Sequence, residues 1–318
     1  MSVYDVNGKV ACPTFTDAQK NTQIHFNVAI NQNTPKNNAV DGTGTLNVNT
    51  VLILPSSYSE DGKPTPLIFM HHGRSGTVTD TTWYSTVQNW PNFYNGYLNA
   101  GFAVFDVNGA GPYAANNTYN HDYGSPDCIL AAYAAYNYIR EHYNVDRKIF
   151  VHGTSMGGIT AVSFAKNFSN IVRAVGVFST ADLRNYAVTV WPEEVAPRFG
   201  YADASAMSAD GYSELPAFEL SVEHYNSSGA RLFHTYDYNW KADSTETHVS
   251  KFPVPIKYWH GTSDESTSYT WSEEAVKAIR NGGGMAYYRP VSGAGHNICT
   301  GSNSTVINEA VLWFKRFL

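Results

Sequence analysis

The chain has 318 residues, 43% of them hydrophobic and only 15% charged, with 21 basic against 27 acidic side chains and a formal net charge of −6. That length supports one large α/β domain or two small ones, with roughly three quarters of the surface buried, and low charge combined with 22 Tyr and 25 Gly excludes a disordered chain. No segment concentrates Lys and Arg, so no nucleic-acid or anionic-membrane surface is expected.

The first nine residues contain no apolar run of signal-peptide length. This predicts a cytoplasmic location by default, while the composition equally suits an extracellular or particle-borne protein. No stretch approaches the ~18 consecutive apolar residues of a membrane span. Cys12, Cys128 and Cys299 are too few and too scattered for a disulfide framework or a Cys-based zinc site.

Residues 1–44 read as a β-rich extension, placed to extend a sheet or to mediate homo-oligomerisation. Alternation of apolar and polar side chains predicts strands over 23–30 and 45–54. After the turn signal Asp61-Gly62-Lys63-Pro64 the pattern changes to short continuous apolar runs at 66–70, 102–105, 148–151, 172–177 and 254–259. Such runs suit strands buried on both faces. Between them, Ser125-Pro126-Asp127 reads as a helix start. The stripe Ile129, Ala132, Tyr133, Tyr136, Ile139, Tyr143 follows it at helical spacing. A second helix is expected to open near Ser272 and stop at Gly282, and a last one covers 305–318. Strands alternating with helices imply a mostly parallel sheet covered on both faces. The aromatic-rich segment 185–252 breaks this alternation. It reads as an inserted cap between two parts of one core, 45–184 and 253–318.

The sharpest signal is Gly153-Thr154-Ser155-Met156-Gly157, directly after a buried strand run and directly before a helical run. A tight strand-to-helix turn holds its serine in a strained backbone conformation, at a cost of about 1–3 kcal/mol, and exposes the hydroxyl. Gly153 and Gly157 stand where a side chain would collide with neighbouring elements. Ser155 would then lie at a helix N-terminus, which favours negative charge.

A serine hydroxyl needs a base, and the base needs an orienting group. His296 follows the expected 285–291 strand in the loop Ser292-Gly293-Ala294-Gly295-His296. Asp264 follows the 254–259 strand in His260-Gly261-Thr262-Ser263-Asp264, with Glu265 and Asp182 as competitors. The turn His71-His72-Gly73-Arg74 supplies an oxyanion donor. Met156 N–H and Arg74 N–H are the expected pair, with Gly73 as the alternative. A metal role for His71-His72 is not expected, because neighbours on a strand face opposite sides and no carboxylate stands at ligand spacing in sequence.

These residues resemble the α/β-hydrolase fold superfamily, and within it the esterase and prolyl-oligopeptidase-like hydrolases. The resemblance is carried by His72-Gly73, Gly153–Gly158, His260–Asp264 and Gly295-His296 across about 45–318. It implies a mixed, mostly parallel eight-stranded sheet, an acyl-serine mechanism, and no metal or organic cofactor. Where many relatives carry Asp-Arg-Gly, this chain reads Asp106-Val107-Asn108-Gly109. The short N-terminal part leaves no room for a propeller, which favours a carboxylesterase over a dedicated peptidase. A small-molecule or carbohydrate ester is the expected partner, with Trp191, Tyr123 and Trp240 as candidate substrate contacts. His121 and Asp122 stand in the pocket-lining or surface loop beside Tyr123. The competing readings are a peptidase or amidase with the same three residues, and a non-catalytic glycan-binding module.

Overall fold

The computed structural model describes residues 4–7, 23–31, 45–74, 76–79, 83–84, 90–109, 122–180, 192–198, 203–209, 224–225, 231–232, 252–298 and 304–318. Nine strands form one sheet: β1 (Tyr4–Asn7), β2 (Gln23–Asn31), β3 (Thr45–Ile53), β4 (Leu67–His71), β5 (Ala103–Val107), β6 (Ile149–Thr154), β7 (Val172–Phe178), β8 (Ile256–Gly261) and β9 (Ala286–Val291). Their spatial order is β1-β2-β3-β5-β4-β6-β7-β8-β9. The first three pairings are antiparallel, and every pairing from β5 to β9 is parallel. The expected eight-stranded sheet is β2 to β9. The β1 strand adds a ninth, pairing Tyr4 with Ile30 through Asn7 with Asn27.

The central strands are mostly apolar because helices cover both faces. Leu67 and Phe69 of β4 enter one core, with Phe105, Val151 and Val177. Ile68 and Met70 enter the other, with Val104, Phe150 and Phe178. The first core is closed by helices α2 (Pro126–His142), α3 (Met156–Asn167) and α4 (Tyr269–Asn281), and the second by α1 (Trp90–Asn99) and α5 (Ser304–Lys315). Each fully buried aromatic or aliphatic side chain in these layers contributes about 1.5–3 kcal/mol.

Three sequence expectations change. Helix α1 was not expected, because Asn92, Asn95 and Gly96 lower its propensity; burial of Phe93 and Tyr97, one turn apart, holds it in place. Helix α4 opens at Tyr269 instead of near Ser272, where Ser268 Oγ accepts the Thr270 N–H at 3.3 Å. Ser125 does occupy the N-cap of α2 with Pro126 following, but its side chain makes no capping bond.

Within 185–252 the described residues form two short helices, Pro192–Arg198 and Ala204–Ala209, and the ribbon of His224–Tyr225 with Arg231–Leu232. Because β4 and β6 to β9 run in one direction, the residues after their C-terminal ends share one sheet edge. Among the described residues no helix is long and apolar enough to cross a membrane.

Candidate active site

Strand β6 ends at Thr154 and helix α3 starts at Met156, leaving Ser155 alone in the turn at φ +54° and ψ −122°. A non-glycine residue there is strained. The turn is possible because its flanks are bare. A Cβ on Gly153 would run into the Gly157 carbonyl, and a Cβ on Gly157 would run into the carbonyls of His71 and His72. The Ser155 N–H donates to Phe178 O at 2.9 Å, which ties the turn to the end of β7.

His296 and Asp264 arrive from the next two strand ends. Their loops are stitched together by Thr262 N–H to Val291 O (3.0 Å), Ser263 N–H to Ala294 O (2.9 Å) and Gly293 N–H to Thr262 Oγ1 (2.9 Å). The result is a continuous line. Ser155 Oγ lies 3.0 Å from His296 Nε2, and His296 Nδ1 lies 2.8 Å from Asp264 Oδ2. An ionised carboxylate only accepts, so Nδ1 carries the ring proton and Nε2 is left to accept from the serine.

The Asp264 side chain is buried. Burial alone would raise its pKa. Hydrogen bonds from His260 and His296, the charge of His296 and the Thr267 N–H hold it well below the usual carboxylate range. Glu265 is exposed, and the bond to His296 comes from Asp264. Asp182 lies outside the described residues.

The turn after β4 runs beside the serine. A Cβ on Gly73 would lie 3.4 Å from Ser155 Cβ and 3.3 Å from Thr154 O, so Gly73 packs against the Ser155 turn. Met156 is the first residue of α3, where backbone N–H groups have no acceptor inside the helix.

No family model and no curated protein matches this sequence. Solved structures do. Est1E from Butyrivibrio proteoclasticus, with ferulic acid bound, is similar with a TM-score of 0.54 at 19% identity, over 87% of this chain and 96% of that one. The esterase domain of a Rhodothermus marinus protein gives 0.53 at 14% identity, over 93% of this chain and 99% of that one. An acylaminoacyl peptidase from Pyrococcus horikoshii gives 0.60 at 15% identity, over 93% of this chain but only 42% of the peptidase. The chain has the α/β-hydrolase fold.

Within that fold several side chains stand where the sequence reading did not look. His260, at the end of β8, places Nε2 3.0 Å from Asp264 Oδ2 while Ser272 Oγ reaches its Nδ1 at 2.7 Å. Thr267 adds its N–H to Asp264 Oδ1 (2.9 Å) and its hydroxyl to Oδ2 (3.0 Å). The spacing of His260 and Asp264 was visible in sequence; the bond depends on the loop folding back.

The reading of His71 and His72 needs correction. Strand β4 ends at His71, so His72 leaves the pleat, and both rings bond Asp106 through Nδ1, at 2.8 and 2.6 Å. Two buried ligand-type sets thus exist, His71-His72-Asp106 and His71-Asp122-Cys128. Their nitrogen–oxygen separations of 2.6–2.8 Å are hydrogen-bond lengths, shorter than the ~3.3 Å between two ligands of one tetrahedral zinc.

Tyr123 is buried at φ +49° and donates its hydroxyl to Glu194 Oε2 at 2.8 Å. Glu194 also accepts from Arg74 Nη2 (2.6 Å) and Nε (3.3 Å), which joins the turn after β4 to the Pro192–Arg198 helix. Asp122 is likewise buried, so neither pocket lining nor surface describes it. Trp191, Trp240 and His121 lie outside the described residues.

Proposed function

We propose that the protein is a serine hydrolase that cleaves a carboxylic ester through an acyl-serine intermediate. The single observation that carries this is the line from Ser155 Oγ to His296 Nε2 (3.0 Å) and from His296 Nδ1 to Asp264 Oδ2 (2.8 Å), on a strained turn at a helix N-terminus. Ser155 attacks the ester carbonyl as His296 Nε2 takes its proton, and Asp264 holds the ring in the accepting tautomer and stabilises the imidazolium. The N–H of Met156 and that of Arg74, or alternatively Gly73, receive the developing oxyanion. His296 then returns the proton to the leaving alkoxide. Water, activated by the same imidazole, hydrolyses the acyl-serine. Every step is carried by side chains and backbone of this chain.

Ester cleavage is supported by the neighbours that are esterases, one of them with ferulic acid bound. The aromatic segment 185–252, as a cap, would shape a pocket for a short acyl group or an acylated carbohydrate.

The test is labelling with a fluorophosphonate probe and turnover of p-nitrophenyl acetate and butyrate, wild type beside Ser155→Ala. Labelling and turnover present in the wild type and lost in the variant are expected. A folded wild type that neither labels nor turns over would sink the reading and leave a non-catalytic binding module.

A further inference from the structure

Two buried carboxylates lie beneath the turn that carries Gly73 and Arg74, and their bonds converge on the residues just before it. Asp106, at the end of β5, accepts four donors. Its Oδ1 takes His71 Nδ1–H and Val107 N–H, both at 2.8 Å, and its Oδ2 takes His72 Nδ1–H at 2.6 Å and Trp83 Nε1–H at 2.8 Å. Four donors fill the lone pairs of one carboxylate. Asp122 accepts His71 Nε2–H at 2.6 Å and the Cys128 thiol at 2.7 Å on Oδ2, and the Thr160 hydroxyl at 2.9 Å on Oδ1.

His71 therefore faces a carboxylate oxygen with each ring nitrogen. A neutral imidazole carries one N–H, and its other nitrogen would turn a lone pair toward an anion; both contacts are satisfied only by an imidazolium. Burial opposes that charge, yet the carboxylates of Asp122 and Asp106 outweigh it and hold the ring's pKa well above its ordinary value. The pairing ties three buried elements together: the end of β4 through His71, the end of β5 through Asp106, and helix α3 through Thr160. Paired charges at this depth resist displacement, since separating them leaves a buried charge unpaired.

Gly73 follows His72 directly and lies against Ser155, and Gly157 approaches the carbonyls of both histidines. We propose that Asp106, acting through His71 and His72, is a positioning residue that sets the oxyanion-binding turn against the nucleophile. This rests on the hydrolase reading above. Neither Asp106 nor His72 is placed to touch substrate, so the effect falls on transition-state alignment, where a displacement of 1 Å costs on the order of 10²-fold in rate.

The test compares wild type, Asp106→Asn, His72→Leu and His72→Asn for kcat and KM on p-nitrophenyl acetate, for the rate of fluorophosphonate labelling and for Tm. Val28→Ala, buried in β2 two strands away from β5, serves as the stability control. Asp106→Asn and His72→Leu are expected to lower kcat and the labelling rate about 10–100-fold with KM within twofold. His72→Asn, whose amide nitrogen takes the Nδ1 position, should recover most of that loss. Val28→Ala should lower Tm and leave kcat unchanged. An active wild type whose folded His72→Leu and Asp106→Asn variants keep kcat within twofold would overturn the positioning role alone. If Asp106→Asn does not fold, the His72 pair decides. A wild type without labelling or turnover would instead remove the hydrolase reading on which the proposal rests.

Discussion

Ser155, His296 and Asp264 come from segments up to 141 residues apart and still meet within hydrogen-bond distance. What makes Asp264 suitable is its company: His260, Thr267 and the Ser266 N–H all donate to it, so its charge is maintained although its side chain is buried. Asp264→Asn is expected to lower kcat about 10³–10⁴-fold with the fold intact, because the amide favours the wrong imidazole tautomer. Steady-state kinetics beside circular dichroism measures this. The Ser155 turn was legible because its requirements are local: two glycines, a serine and the strand and helix patterns on either side. His260 was not legible as a partner of Asp264, since eleven histidines compete and only the folded loop selects among them.

The elements show where local rules suffice and where they fail. The Ser268 cap on helix α4 is a local feature, and Ser268→Ala should cost about 1 kcal/mol in chemical denaturation. The contact between α3 and the turn after β4 is not local. Gly157→Val would force a branched side chain into the carbonyls of His71 and His72, so loss of at least 10²-fold in kcat is expected even where the variant folds. The Arg74–Glu194 pair is more than a third exposed on Arg74, with relative exposures of 36% and 34%. Its direct contribution to stability is accordingly about 0–1 kcal/mol. Glu194→Gln should leave the denaturation midpoint nearly unchanged, which a urea titration checks. Helix α1 marks the limit of pattern reading, because poor intrinsic propensity was overridden by two aromatic side chains in the second core.

The molecule as a whole has opposing charge dependences built into its interior. His152, buried among Phe93, Phe178 and Phe314, has its pKa pulled down to about 3 by burial. Its unfolded value is near 6.5, so between about pH 6.5 and 3 the unfolded chain binds a proton that the folded one refuses. Stability from this group is present above pH 6.5 and is lost as pH falls. Asp106, Asp122 and Asp264, with lowered pKa values, add a further loss at still lower pH. His71 has the opposite sign: its raised pKa contributes fully below 6.5 and fades as pH rises through the folded value. A stability maximum near neutrality is the expected result in urea denaturation followed from pH 4 to 9. The double variant Tyr97→Phe, His152→Leu removes the ring and its hydroxyl partner together, and should flatten the limb between pH 6.5 and 4.

Hydrophobic runs of strand length, helical stripes and the Gly-x-Ser-x-Gly turn were enough to infer a mostly parallel sheet with helices on both faces, and to nominate Ser155, His296 and Asp264 in order. Those inferences work because side-chain periodicity and backbone sterics act over a few residues. Folding was needed to decide that Asp106 and Asp122 hold His71 and His72, that His260 backs Asp264, and that Glu194 grips Arg74. The reason is physical. A buried charge is defined by what surrounds it, and the partners of His71 lie up to 51 residues away, brought together by crossovers that no local pattern encodes.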